Sequence, residues 1–243
     1  MLQEFGKPNV THLLENPRPL TTMNIHDFYK HIFQIWRVRR FKMFVELLRP
    51  SCRMRVLDVG GYPSTWTAHH PVVGSITCLN IHPVKWDSMS APNHHIQTVV
   101  GDGCKLGFPD GSFDIVFSNS VIEHVGSFEN QQAFARELRR VGKHLWIQTP
   151  ARECPIEPHY LAPFVHWLPP ILQKKLIRHF TPRGLIQKPT PAAVDEMVST
   201  TRLLSYKELT GLFPDCEVLT EKLAGILPKS YVAMRRHDDK ETP

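Results

Sequence analysis

The segment Arg55-Val-Leu-Asp-Val-Gly-Gly-Tyr-Pro-Ser-Thr-Trp66 has the residue types to hold a ligand. An apolar run delivers Asp58 to a pair of glycines, and glycines let backbone approach a ligand closely at the carboxyl end of a first strand. The dinucleotide fingerprint G-x-G-x-x-G is broken, because Tyr62 and Thr65 stand where its second and third glycines belong when counted from Gly60. That argues against a pyrophosphate cradle and for a ligand without phosphate. Three further polar positions follow at the ends of apolar runs. Asn80, with Ile81 after it, closes Ile76-Thr-Cys-Leu-Asn80 at the spacing where a side chain can hydrogen-bond a ribose. Gly101-Asp102-Gly103-Cys104 offers a carboxylate that can accept from an adenine amino group. Ser118-Asn119 ends Phe113–Ser118 just before Val-Ile-Glu-His124.

Histidines supply the candidate bases. Glu157-Pro-His-Tyr160 and His166-Trp167 place His159 and His166 seven residues apart, two turns on one face if that stretch were helical. Imidazole titrates near neutrality and suits general-base work. The bland reading is that these rings hydrogen-bond backbone in a proline-rich loop. Glu123 and His124 equally suit the first turn of a helix, and Asp114 suits a role orienting the strand it begins. No cluster of residues has metal-ligand spacing.

These residues need a scaffold, and the chain's texture implies one. Residues 1–23 are polar and carry Pro8, Pro17 and Pro19, an arm. From Asn24, a plausible cap, apolar residues at helical spacing predict a helix that Pro50 ends. Short apolar runs then alternate with polar or helical stretches: Met54–Val59, Ile76–Ile81, Ile96–Val100, Phe113–Ser118 and His144–Thr149. That alternation is the mark of a parallel sheet with crossover connections. From Pro150 to Pro191 there are nine prolines, an insertion folded over something, with one amphipathic helix at Pro170–Phe180. A helix near Ser205–Leu212 and two closing strands, Cys216–Thr220 and Ser230–Met234, follow. With no helix between them the last two form a hairpin, an antiparallel edge. The expected division is an N-terminal arm and helical segment at 1–50 and an α/β domain at 51–243, with a lid insertion at about 151–200.

Composition excludes several classes. The 243 residues are 42% hydrophobic and 21% charged, so the chain is neither disordered nor fibrous. No apolar run approaches the roughly 18 residues that span a bilayer. The first residues lack the basic start and apolar block of a signal peptide. The five cysteines are odd in number and far apart, which reads as reduced thiols and a cytoplasmic setting. Net charge is +6, concentrated in Arg37–Arg55 and in Lys174, Lys175, Arg178, Arg183 and Lys188. By contrast the segments around the glycine pair contribute Asp58, Asp102, Asp110, Asp114 and Glu123 against Arg55 and Lys105.

Asp58-x-Gly-Gly, Asn80, Asp102 and Ser118-Asn119, in this order at successive strand ends, resemble the class I S-adenosylmethionine-dependent methyltransferases, in particular the small-molecule enzymes of type 11. The resemblance spans about residues 54–150. It implies a Rossmann-like, seven-stranded, mostly parallel sheet with an antiparallel last strand and helices on both faces. It implies S-adenosyl-L-methionine as cofactor and S-adenosyl-L-homocysteine as product. By the same resemblance Asp58, Gly60 and Gly61 lie against the methionine moiety, Asn80 and Ile81 at the ribose, and Asp102, Gly103 and Cys104 at the adenine. Ser118 and Asn119 would meet the methionine part. Tyr62 and Ser64 replace usual glycines, and Asn80 replaces a usual acid.

A positive sulfonium is compatible with the acidic strand ends and not with a cationic pocket. Methyl transfer to O, N or C is an in-line displacement governed largely by orientation and desolvation. The acceptor is expected to be a small molecule, free or carrier- or lipid-linked, with His159, His166 or His124 as base. Tyr29, Trp36 and Phe41 on the N-terminal helix could face it, while Arg39 or Arg40 could pair with the donor's carboxylate. Trp167–Phe180 is expected to be a lid helix packing its apolar face on the domain, with a place at a membrane interface as the alternative. Rival functions are an RNA methyltransferase, suggested by charge but lacking an Asn-Pro-Pro-Tyr signature or a separate RNA module, and a non-catalytic nucleoside-binding scaffold. A nicotinamide dehydrogenase is opposed by the failed glycine fingerprint.

Overall fold

The structure, a computed structural model, describes residues 25–157, 162–181, 184–185 and 188–237, with the side chains of 25–34, Ser90 and Glu157 left aside. The arm at 1–23 and its cap Asn24 lie outside these residues. Contacts divide the chain into two units, Met1–Glu46 and Leu47–Pro243. Helix α1, Ile25–Leu48, occupies the described part of the first. It stops where Arg49 adopts φ 50° ahead of Pro50, since the residue before a proline is pushed out of the helical region.

The second unit is built on one seven-stranded sheet. Its strands are β1 (Arg55–Val59), β2 (Ser75–Asn80), β3 (Ile96–Val100), β4 (Phe113–Asn119) and β5 (Gly142–Pro150), then β8 (Glu217–Leu223) and β9 (Leu227–Arg235). A separate two-stranded ribbon is made by β6 (Ile156–Glu157) and β7 (Ala162–Pro163). The sheet order is β3-β2-β1-β4-β5-β9-β8. The first five strands are parallel, whereas β9 runs antiparallel to both β5 and β8. Both closing strands of the expected hairpin are therefore in the sheet. Strands β1, β2 and β4 are buried along nearly their whole length, as strands covered on both faces must be. Edge strand β8 shows a mixed pattern instead.

Helices follow the strands with local signals that explain them. Helix α2 (Pro63–Thr67) starts on a proline at its first position. Helix α3 (Phe128–Val141) is capped by Ser127, whose hydroxyl accepts from the Asn130 N–H at 3.3 Å. It buries Gln131, Phe134, Ala135, Leu138 and Val141 on one stripe. Each large apolar side chain so buried contributes about 1.5–3 kcal/mol. Gly142 then turns the chain directly into β5; a Cβ there would come within 2.6 Å of Val116. After the insertion, α4 (Pro170–Phe180) and α5 (Pro191–Thr200) pack together, and α6 (Tyr206–Leu212) begins with a complete capping box of Ser205 and Glu208. Leu209, Leu212 and Phe213 join α3 and one sheet face in the main core.

Candidate functional site

The carboxyl ends of β1 and β4 meet where the chain reverses the direction in which it adds strands, the place where open α/β sheets bind ligands. The loop after β1 is pinned from both sides. On the β2 side, the Gly60 N–H donates to the Leu79 carbonyl at 2.7 Å, and Asn80 Nδ2 donates to the Gly61 carbonyl at 2.7 Å. On the β4 side, the buried Ser118 hydroxyl donates to the Val59 carbonyl at 3.0 Å. Gly60 has φ 75°, a left-handed conformation that favours glycine. A Cβ on Gly61 would lie 1.8 Å from Asp58 Oδ2, so this glycine leans directly on the carboxylate. Tyr62 needs no glycine: its φ of −118° is ordinary extended backbone. The departure at this position therefore leaves the loop's path intact.

Asp58 is the least ordinary group of the site. It is 1% exposed, its Oδ2 accepts from the Trp66 indole N–H at 2.8 Å, and its buried Oδ1 has no hydrogen-bond partner among the described residues. Burial pushes the carboxyl up to about 7, opposed by the Trp66 hydrogen bond. Trp66 is fully buried and packs edge-on against Phe117. Sequence reasoning gave it no part, although a bulky donor one turn into the helix after a glycine loop is a readable signal for something supporting the preceding acid.

Asp102 stands exposed after β3, with Oδ1 accepting from the Cys104 N–H at 2.8 Å. Gly103 beside it is compressed against Phe134, where a Cβ would come within 2.5 Å of the ring. The Cys104 thiol donates to the Asn130 carbonyl at 3.5 Å, and burial and the Asp102 carboxylate push it up to about 11, so it stays protonated. Asn119 ends β4, and Ser120 follows at φ 57°, held by Gln148 through backbone (3.0 Å) and side chain (2.9 Å). Ile81 projects into solvent just past β2.

Glu123 and His124 lie in a single 3-10 turn, Ile122–His124, rather than the first turn of α3, which starts at Phe128. Glu123 is buried and accepts from the Thr149 hydroxyl at 3.0 Å, tying the turn to the end of β5. His124 points outward, with Nδ1 3.5 Å from the Thr201 hydroxyl. His166 Nε2 lies 3.0 Å from the Arg152 carbonyl, just past β5. Facing a carbonyl, Nε2 carries the proton in the neutral ring, which leaves the lone pair on Nδ1. His159 lies outside the described residues. Arg39 and Arg40 belong to α1 in the N-terminal unit, where the Arg39 guanidinium stands 5.8 Å from the Trp36 ring centre. Phe41 lies on the same helix, and the side chain of Tyr29 is not described.

The expected grouping of five carboxylates needs correction. Asp114 sits at the opposite end of the sheet, where it begins β4, accepts from the Arg55 N–H at 2.9 Å and pairs with Lys143 at 3.1 Å. Those donors hold it below the ordinary carboxylate range. Asp110, before the same strand, pairs with Arg140 at 2.7 Å. Both are neutralised by the cations that fasten strand starts. The acidic character of the ligand-binding end rests on Asp58 and Asp102, with Glu123 turned inward.

A family model described as "Methyltransferase domain", type 11, matches residues 57–144. No curated protein is similar enough in sequence to match. Among solved structures, geranyl diphosphate C-methyltransferase from Streptomyces coelicolor A3(2), in complex with Mg2+, geranyl diphosphate and S-adenosyl-L-homocysteine, is 11% identical. It aligns over 90% of this chain and 85% of its own at a TM-score of 0.57. A Rhodobacter sphaeroides protein described as a zinc-dependent alcohol dehydrogenase is 13% identical over 82% of this chain and 90% of its own, at 0.51. A Methanosarcina mazei S-adenosylmethionine-dependent methyltransferase is 16% identical over 76% and 93%, at 0.44. At such identities the first two likenesses speak for the fold alone. The family match, however, runs from inside β1 to inside β5, across the four strand ends described above, so residues 57–144 are similar to the type 11 methyltransferase domain.

Proposed function

We propose that this chain binds S-adenosyl-L-methionine across the carboxyl ends of β1 to β4 and methylates an O, N or C atom of a small-molecule acceptor, free or carrier- or lipid-linked. The observation that carries the reading is Asp58: a buried carboxyl beside a glycine loop, one oxygen taken by Trp66 and the other without a partner among the described residues. A buried acceptor of this kind costs stability unless something satisfies it, and an ammonium group, such as the one the donor's methionine part carries, does so. Gly60 and Gly61 leave the loop free of side chains on the approach to it. When bound, the donor supplies an activated methyl group on sulfur.

The chain's own residues then orient and desolvate. Asp58 holds the amino end, with its carboxylate aimed by Trp66. Asn80 and Ile81 lie at the ribose, Asp102, Gly103 and Cys104 at the adenine, and Ser118 and Asn119 close the β4 side. Asn80 fixes the Gly61 carbonyl through one N–H of its amide nitrogen, leaving its oxygen and second N–H for a ribose contact. An acceptor hydroxyl or acidic carbon needs a base. His166, anchored to the β5 extension, is a candidate for that role, as are His159 and, at the edge of the 3-10 turn, His124.

Calorimetric titration with S-adenosyl-L-homocysteine, with NAD as control, tests the cofactor assignment. Binding of the homocysteine compound alone supports it; binding of NAD alone sinks it. Asp102→Ala should weaken that binding about tenfold, the cost of a lost charge-assisted hydrogen bond. Unchanged affinity would remove Asp102 from the site.

A further inference from the structure

The insertion leaves uncovered what a lid is expected to hide. Helix α4 buries only Ile177, in a small cluster with Ala162, Val165 and Val194. Three other apolar residues face outward, Ile171 at 71% exposed, Phe180 at 75% and Leu172, while Leu176 is half-buried. Just upstream, Phe164 is held in solvent at φ 62°, a conformation that is costly for a bulky side chain. Its ring meets that of Trp167 at 5.3 Å. The Trp167 indole N–H is already satisfied by the Arg152 carbonyl at 2.8 Å, while half of the residue remains exposed. Such an aromatic can enter an apolar phase without stranding a donor.

Charge marks the same surface. From Pro158 to Val194 the chain has Lys174, Lys175, Arg178, Arg183 and Lys188 and no Asp or Glu, nearly the whole net charge of +6. Lys174 is paired with Asp195 at 2.9 Å; Lys175 and Arg178 are exposed on α4. We propose that α4 and the preceding Phe164–Trp167 turn form a docking surface for an anionic lipid bilayer, with Phe164, Trp167, Ile171 and Leu172 entering the interface and Lys175 and Arg178 meeting lipid phosphates. Exposed aliphatic side chains flanked by cations fit that partner. They offer nothing to a nucleic-acid backbone, which is bound through charge alone. The surface is independent of the methyl-transfer reading.

Co-sedimentation of the full chain is measured with vesicles of phosphatidylcholine and with vesicles in which about a third is phosphatidylglycerol, a strongly anionic surface. Binding to the mixed vesicles alone, weakened by salt, is expected. The double variant Lys175→Glu/Arg178→Glu should lose at least about tenfold in partitioning, given the attraction of each cation to an anionic leaflet. Ile171→Ser/Leu172→Ser should lose a comparable amount. All four positions face solvent, so S-adenosyl-L-homocysteine titration and thermal unfolding should match the parent in both variants. Equal binding to both vesicle types, or none to either, overturns the proposal. So does full vesicle binding by Ile171→Ser/Leu172→Ser together with competition by homopolymeric RNA, which would make the surface a polyanion site.

Discussion

The strand ends of the sheet and the insertion at 151–200 solve opposite problems. At the strand ends side-chain hydrogen bonds tie the loops down, three of them between segments distant in sequence, Asn80 to Gly61, Ser118 to Val59 and Thr149 to Glu123, and one local, Trp66 to Asp58. In the insertion the buried apolar side chains of α4, α5 and the preceding turn make up one cluster of four residues. Local stability follows buried apolar contact, so the first region is fixed in geometry while the second opens at lower cost. A rigid floor, with a more adaptable region elsewhere in the same unit, suits the reaction proposed above, in which one substrate is constant and the other must enter and leave.

The contrast is sharpest at Asp58. Its folded-state carboxyl titrates near 7 against a reference of 3.8. Between pH 4 and 7 the unfolded chain therefore releases a proton that the folded chain keeps, so stability falls as pH rises through that window and levels off above it. At about 1.4 kcal/mol per unit the loss is about 4 kcal/mol. Asp58→Asn should be the more stable protein above pH 7 by that order and equal at pH 4, as read by urea unfolding. A cationic ligand favours the ionised acid, so S-adenosyl-L-homocysteine should bind the parent more tightly as pH rises through 7, with the Asn variant flat. A flat parent would detach Asp58 from the ligand.

Gly61→Ala comes next in size. Its Cβ must displace the Asp58 carboxylate, and a misplacement of that scale costs on the order of 100-fold in site function, seen as lost S-adenosyl-L-homocysteine affinity. Parent-like affinity would break the idea of a rigid floor. Smallest is Ile177→Ala. Removing the central side chain of the four-residue cluster costs about 2 kcal/mol, at the low end for a buried isoleucine. The effect should be confined to the insertion: faster amide exchange and proteolysis across 162–200, with exchange in β1 and β4 unchanged. Equal loosening of the sheet would show that the two regions unfold as one.

Legibility in sequence follows the same divide. Strands β1, β2, β4 and β5 were readable because a strand covered on both faces needs a continuous apolar run, and edge strand β3 from its β-branched residues, with turn residues bounding each one. Met54 and Ile81 fell outside their strands only at the margins, where backbone pairing rather than side-chain type decides. The 3-10 turn at Glu123–His124 was hidden because a glutamate buried against Thr149 is a tertiary contact with no local signature. The indole support of Asp58 was hidden for the same reason. Asp110 does not belong with the acids of the site, because it precedes β4 and so lies at the amino end of that strand, whereas Asp114 orients the strand it begins, as expected, by accepting from the Arg55 N–H. In the insertion, prolines interrupt periodicity. Helix α4 was readable from its amphipathic stretch, whereas the β6–β7 ribbon and α5, with one buried residue in ten, carry too little pattern to read.

The sheet order also bears on how the chain matures during synthesis. Strand β8 is made before β9 yet hydrogen-bonds only to it, and β9 alone bridges β8 to β5. Until Arg235 has left the ribosome, one side of β5, including Leu145, Trp146 and Ile147, has no hydrogen-bonding neighbour and β8 has no place to dock. An unpaired apolar strand edge is a template for aggregation. The chain must therefore be translated through β9 before that edge of β5 is covered.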